Sequence, residues 1–184
     1  MTVTKKLPKE RRKTISLPTA GASAAATGTG PWTAGGTNEA DIAAWGARTG
    51  RLDTPTVLAF ATGSDENAFA GFVMPEDYDG GVVHAEVFYF TTATSGNAYF
   101  KGVLYSMTEG DNYNDAGTAS SGSSATTVPS TAGEIDKQGF KFAANSVAAG
   151  EPCVLELIRD VSEDTANADV SVVSVKLTFG VGIR

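Results

Sequence analysis

Apolar and polar side chains alternate with period two along several stretches of this chain, the pattern of half-buried antiparallel strands. In residues 82–90 (VVHAEVFYF), Val83, Ala85, Val87 and Tyr89 share one face. His84 and Glu86 share the other with Phe88 and Phe90, a mixed face to be buried at its end or covered by another subunit. In residues 169–181 (DVSVVSVKLTFGV), Val173, Val175, Leu177, Phe179 and Val181 predict a core-facing row opposite Ser174, Lys176 and Thr178. Further strands are predicted over 56–61, 68–74, 98–107, 139–142 and 153–159, with a weak one near Thr127. Turn chemistry separates them, as in GSDEN, PEDYDGG and TSGN. Residues 109–126 (EGDNYNDAGTASSGSSAT) read as one long polar loop. About eight short strands without a long helix predict an all-β, jelly-roll-like antiparallel β-sandwich.

The first 53 residues differ in texture. TISLP at 14–18 is a short β-like segment closed by proline, and 19–37 is dominated by Ala, Gly, Thr and Ser. That composition buries too little apolar surface to fold alone and reads as a linker. Residues 38–47 (NEADIAAWGA) suggest a helical turn with Asn38 as N-cap. Trp32 and Trp45 would be pegs pinning this region to a body. The expected division is therefore an extended N-terminal arm over 1–53 and a sandwich over 54–184.

Composition agrees with strands. Val (16) outnumbers Leu (8) and Ile (5) together, and Ala (27) and Gly (21) are abundant. No run of about 18 apolar residues exists, so no helix is expected to span a membrane. The basic start lacks the apolar stretch of a secretory signal. One Cys rules out an internal disulfide, and a single His leaves little for metal or nucleophilic catalysis.

Charge is segregated. Lys5, Lys6, Lys9, Arg11, Arg12 and Lys13 face only Glu10 within residues 1–13, a net of +5, leaving −12 on the remainder. A basic arm on an acidic body can lie on the acidic surface of a neighbour. With so little apolar content before Trp32, the arm is expected to serve attachment and to be dispensable for folding.

Arg159, Asp160, Glu163, Asp164, Thr165 and Asp169 form the densest charged group. Its oxygens could hold Ca²⁺, which wants six to eight ligands, but EF-hand spacing is absent. The better account is a strand-connecting loop in which Arg159 ends a strand at the sandwich edge and an Asp receives its guanidinium. His84 and Cys153 lie mid-strand in what reads as apolar company, with no glycine turn to make an oxyanion site. Asp77 with Asp79, and Asp111 with Asp115, resemble glycosidase pairs but sit in turns that favour Asp for backbone reasons. Tyr113 is the aromatic whose loop position suits a ligand. No metal, cofactor or nucleotide motif is present, and no enzyme is expected.

Several of these segments also recur as an ordered pattern: MPEDYDGGVV at 74–83, an aromatic strand at 84–90, and TATSG at 92–96. It continues with AGE at 149–151, Ile158-Arg159-Asp160, Glu163-Asp164-Thr165, Asp169-Val170 and the strand to Phe179. Over Phe72 to Phe179 the chain resembles a group of small tailed-bacteriophage virion proteins with jelly-roll-like sandwiches. The resemblance implies a structural virion component, a capsid decoration (cement) protein or a spike base. The expectation drawn from it is a homotrimer on the capsid surface that binds the major capsid protein, its arm reaching over neighbouring subunits. The alternatives are a receptor- or glycan-binding head-fibre or tail component, using the 109–126 loop, and a coat protein whose arm contacts nucleic acid. A body of −12 facing a genome is unfavourable, which ranks nucleic acid last.

Overall fold

The computed structural model describes residues 11–19, 23–24, 32–34, 40–44, 56–111, 118–145 and 147–182. Twelve strands carry the described chain: β1 (Arg11–Pro18), β2 (Ser23–Ala24), β3 (Trp32–Ala34), β4 (Asp41–Ala44), β5 (Thr56–Phe60), β6 (Glu66–Val73), β7 (Val83–Thr91), β8 (Asn97–Ser106), β9 (Thr118–Thr127), β10 (Asp136–Phe142), β11 (Pro152–Arg159) and β12 (Val170–Val181). The first sheet runs β10-β7-β12-β5-β4 with β1 also on β12, and the second runs β2-β3-β6-β11-β8-β9. Strands β5 to β12 thus form two four-stranded antiparallel layers, β10-β7-β12-β5 and β6-β11-β8-β9, the order of a jelly roll. The expected fold class is what the structure has.

The core follows the alternation. Val83, Ala85, Val87 and Tyr89 of β7 face Phe100 and Leu104 of β8 and Leu155 and Leu157 of β11, all buried. The Phe100 ring meets Phe60 and Tyr89 edge-to-face at 5.8 and 5.7 Å, the arrangement that ring quadrupoles favour.

Three expectations need correction. The first concerns residues 11–18 of the expected arm, which form β1, a strand of the first sheet. Strand β12 is twelve residues long, but β5 pairs only with Val170 to Val172. That leaves the edge from Ser174 to Val181 open, and β1 fills it in antiparallel register from Pro18 to Arg11. Alternation within β1 supplies the glue: Leu17 is buried, Ile15 packs on the core, and Lys13 pairs with Asp77 at 2.6 Å. Thr19 then hydrogen-bonds the carbonyls of Thr56 and Val173. Lys5, Lys6, Lys9 and Trp45 lie outside the described residues, and of Trp32 only the backbone, paired with Ala70, is described.

Second, residues 41–44 of the expected helical turn form strand β4 on β5; pairing to an open strand edge outweighs weak helix propensity. Third, the predicted loop at 109–126 ends in a ten-residue edge strand, β9, paired with β8 throughout. Its small residues are a steric requirement. A Cβ on Gly122 would stand 2.2 Å from the Lys141 carbonyl oxygen of β10, where the two sheets close on each other. Ser120 Oγ accepts the Ala143 N–H at 3.0 Å across the same seam. Gln138, wholly buried, donates to the carbonyls of Phe100 and Ser124.

Candidate functional site

Two places concentrate polar chemistry. One is the loop end where β11 turns into β12. Arg159 and Asp164, with side chains 1% and 2% exposed, pair through Nε and Oδ2 at 2.9 Å. The remaining guanidinium nitrogens donate to the carbonyls of Phe60 (2.9 Å), Ala166 (3.2 Å) and Ala168 (3.0 Å). Asp164 also accepts the backbone N–H groups of Tyr99 at Oδ2 and Ala166 at Oδ1. Arg159 therefore lies in the interior, in line with Cys153, Leu155 and Leu157, rather than emerging at the edge as expected. Burial is possible because each guanidinium nitrogen finds at least one oxygen.

The neighbouring carboxylates are engaged as well. Asp160 accepts the Ser162 N–H and hydroxyl, Asp169 accepts the Thr62 N–H, and Thr165 Oγ1 accepts the Asn97 N–H. These oxygens hold loops together. Cys153 is buried, and burial pushes its thiol up to about 11, so it is a poor nucleophile.

The second place is the outer face of the first sheet. Antiparallel register lines up Lys141, His84 and Thr178 in one row, with Thr14 next to Thr178. The next row holds Gly139, Glu86, Lys176 and Ser16, and Arg12 lies opposite Gly180 one row beyond Thr178. Side chains on this grid stand about 4.8 Å apart between strands and about 6.8 Å apart along them.

A groove of about 440 Å³ crosses the face, lined by Arg12, His84, Glu86, Gly139, Lys141 and Lys176, among others. Glu86 receives Lys137 at 2.9 Å and Lys176 at 3.0 Å, and these two bonds hold its carboxyl below the usual value. Burial, then the charges of Lys141 and Arg12, lower the His84 pKa. His84 thus sits among cations, not in the apolar company expected for it. His84 and Cys153 form no nucleophile–base pair, since Cys153 faces the core and His84 the outer surface.

Sequence reasoning named Arg12 only as part of the arm and missed Lys137, Lys141 and Lys176 as a group. Their shared parity within strands was readable; the register that joins them was not. Asp77 carries the ion pair to Lys13, Asp79 accepts the Gly81 N–H, and Asp111 accepts the Thr108 N–H. Asp115 and Tyr113 lie outside the described residues. Among the described residues, no group of three or more His, Cys, Asp or Glu could hold a metal ion.

No family model and no curated protein matches this chain. Among solved structures it is similar to the enzymatically active domain of bacteriophage CBA120 tailspike protein 4, at 10% identity and a TM-score of 0.43 over 82% of this chain and 19% of that one. It is similar to the family 30 carbohydrate-binding module of a cellulosomal cellulase of Clostridium thermocellum, at 10% identity and 0.43, covering 89% and 96%. A third is the K1 cleaved adhesin domain of Lys-gingipain from Porphyromonas gingivalis W83, at 10% and 0.44, covering 90% and 97%. The chain spans about a fifth of the length of that tailspike domain. Likeness this distant assigns neither ligand nor partner.

Proposed function

We propose that this protein is a non-enzymatic, virion-associated recognition module that holds carbohydrate on the outer face of its first sheet. The observation that carries the reading is the polar groove of about 440 Å³ built on four paired strands. A saccharide presents many hydroxyls, and each needs a fixed donor or acceptor when its water is displaced. The groove offers cationic donors at Arg12, Lys141 and Lys176, the Thr178 hydroxyl, and a Glu86 carboxylate oriented by two lysines. Strands position such groups more rigidly than loops.

Glu86 is the one carboxylate among the described lining residues, whereas glycoside hydrolysis takes a pair. Recognition without turnover suits that chemistry. The virion setting rests on the sequence resemblance, and a tail or head-fibre position suits receptor binding. The cement reading has weaker support, because Arg11, Arg12 and Lys13 of the supposed clamp lie in β1 on the protein's own sheet.

The test is retention on immobilised host-envelope polysaccharide, comparing wild type with Gly139→Tyr. A Cβ at Gly139 meets only the Ala85 carbonyl oxygen, at an ordinary 3.6 Å, so a side chain fits there and fills the groove without changing charge. Wild type should be retained and the variant lost at unchanged melting temperature. Equal retention of the two would refute the site.

A further inference from the structure

The two outer faces of the sandwich differ in kind. That of the first sheet is charged, whereas that of the second is largely apolar on β6, β11 and β8. Register stacks its outward residues in rows: Gly71, Val154 and Tyr105, then Phe69, Glu156 and Val103, then Asn67, Ile158 and Lys101. Val73, at the end of β6 on the same side, is 61% exposed, and Phe69, Val103, Tyr105, Val154 and Ile158 are all partly exposed. We propose that a second copy of the chain packs on this face, in an isologous dimer.

Area is the first reason. Strands about 4.8 Å apart and rows about 6.8 Å apart give the β6-β11-β8-β9 face a plane of roughly 600 Å², which side-chain relief raises toward the roughly 800 Å² per partner of a standard interface. A monomer seldom leaves an apolar patch of that size in water. The side chains also suit protein better than sugar. Val73, Val103, Val154 and Ile158 are branched aliphatics, which interdigitate with other side chains but offer no flat ring for a sugar to stack on. The two aromatics at the centre, Phe69 and Tyr105, stand two strands apart with Val154 and Glu156 between them, so they make no continuous ring platform.

Charge is the second reason, and it points to self-association. Glu156 accepts the Asn67 amide at 3.0 Å and the Tyr105 hydroxyl at 2.9 Å. Among the described residues no cation pairs with Glu156, and no carboxylate pairs with the exposed Lys101. These two stand on one diagonal of a single grid cell, and Val103 and Ile158 stand on the other. A twofold axis lying in the interface along the Val103–Ile158 diagonal brings Lys101 of each copy within reach of Glu156 of the other. Val103 and Ile158 then meet their own counterparts, as a closed, self-complementary contact requires. Such a dimer turns its two grooves outward on opposite sides, two points of attachment in one particle. The pairing itself does not depend on what the grooves hold.

Sedimentation equilibrium of the full chain over a micromolar concentration series tests the dimer. Wild type should approach twice the mass of one chain. Val103→Asp, which sets a carboxylate at the centre of the contact, should weaken association by about a hundredfold. Lys101→Glu, on an exposed side chain, should weaken it by about tenfold at unchanged melting temperature, and it decides the matter if Val103→Asp folds poorly. Gly139→Tyr, on the opposite face, should associate as wild type does, so the groove and this interface fail separately. A monomer throughout, a threefold mass, association unchanged by Lys101→Glu, or association lost in Gly139→Tyr would overturn the inference. So would binding to galactomannan that Val103→Asp abolishes, since sugar would then be what covers the face.

Discussion

Removing the Arg159 guanidinium tests whether the β11–β12 loop end is a structural bolt. In Arg159→Ala, Asp164 would keep its bonds from the Tyr99 and Ala166 N–H groups but lose its counter-charge while remaining 2% exposed. The carbonyls of Phe60, Ala166 and Ala168 would lose the guanidinium donors, and the buried volume of the side chain would be left empty. Breaking a buried ion pair from one side costs about 3–5 kcal/mol. For a domain of this size each kcal/mol lowers the melting temperature by about 2–4 °C, so a fall on the order of 10 °C is expected.

Urea and thermal unfolding of both proteins measure it, with coincident transitions by two probes securing the two-state treatment. A double-mutant cycle with Asp164→Asn separates the pair from the carbonyl contacts, since the amide keeps the shape without the charge. The cycle should return a coupling of about 1 kcal/mol or more. A loss below about 1 kcal/mol for Arg159→Ala would mean that water replaces the guanidinium and that the site is open. Stability that falls on adding EGTA and returns with Ca²⁺ would overturn the protein-only account of these oxygens.

Two further predictions concern the first sheet. Deleting β1 would bare the Ser174 to Val181 edge of β12 and remove Leu17 from the core, so truncation through Pro18 should lower the melting temperature and promote aggregation, read by calorimetry and light scattering. An unchanged transition would show that β1 is only loosely docked. By NMR, His84 should titrate with a midpoint below 6.5, moving up in Lys141→Gln. Because its folded value is lowered, the unfolded chain binds the proton more readily, and stability falls as pH drops below 6.5 toward the folded midpoint. A midpoint at or above 6.5 would show that Arg12 and Lys141 do not act on the ring.

The jelly roll was legible wherever burial and hydrophobicity coincide. The inner rows of β7 (Val83, Ala85, Val87, Tyr89), β11 (Cys153, Leu155, Leu157) and the second half of β12 (Val175, Leu177, Phe179) are apolar at every second position, so those faces could be read directly. Strand β9 could not, because its more buried row (Ser120, Gly122, Ser124, Thr126) and its exposed row (Ala119, Ser121, Ser123, Ala125) are both made of small residues with no contrast in hydrophobicity. What makes Gly122 necessary is the Lys141 carbonyl of β10, a residue nineteen positions away that only closure of the two sheets brings near. Strand β1 was legible as β-like, but its partner was not, since nothing local shows that β5 stops pairing with β12 after Val172.

The groove lay beyond sequence reasoning for a related reason. Between Val172 and Ser174 the register of β12 against β7 shifts by one residue, a β-bulge. Before it Val170 and Val172 are buried; after it Val175, Leu177 and Phe179 are, while Val173, expected in that inner row, is half-buried. The bulge therefore reconciles two apolar rows of opposite parity in one strand. It also fixes which residues of β7 stand beside Lys176 and Thr178. Without the extra residue, a strand continuing the parity of Val170 and Val172 would turn Lys176 and Thr178 into the core and Leu177 and Phe179 out to solvent. Lys176 would then have no path to Glu86, and the row of Lys141, His84 and Thr178 would not exist. One irregular position thus supports both the hydrophobic core and the charged face behind it.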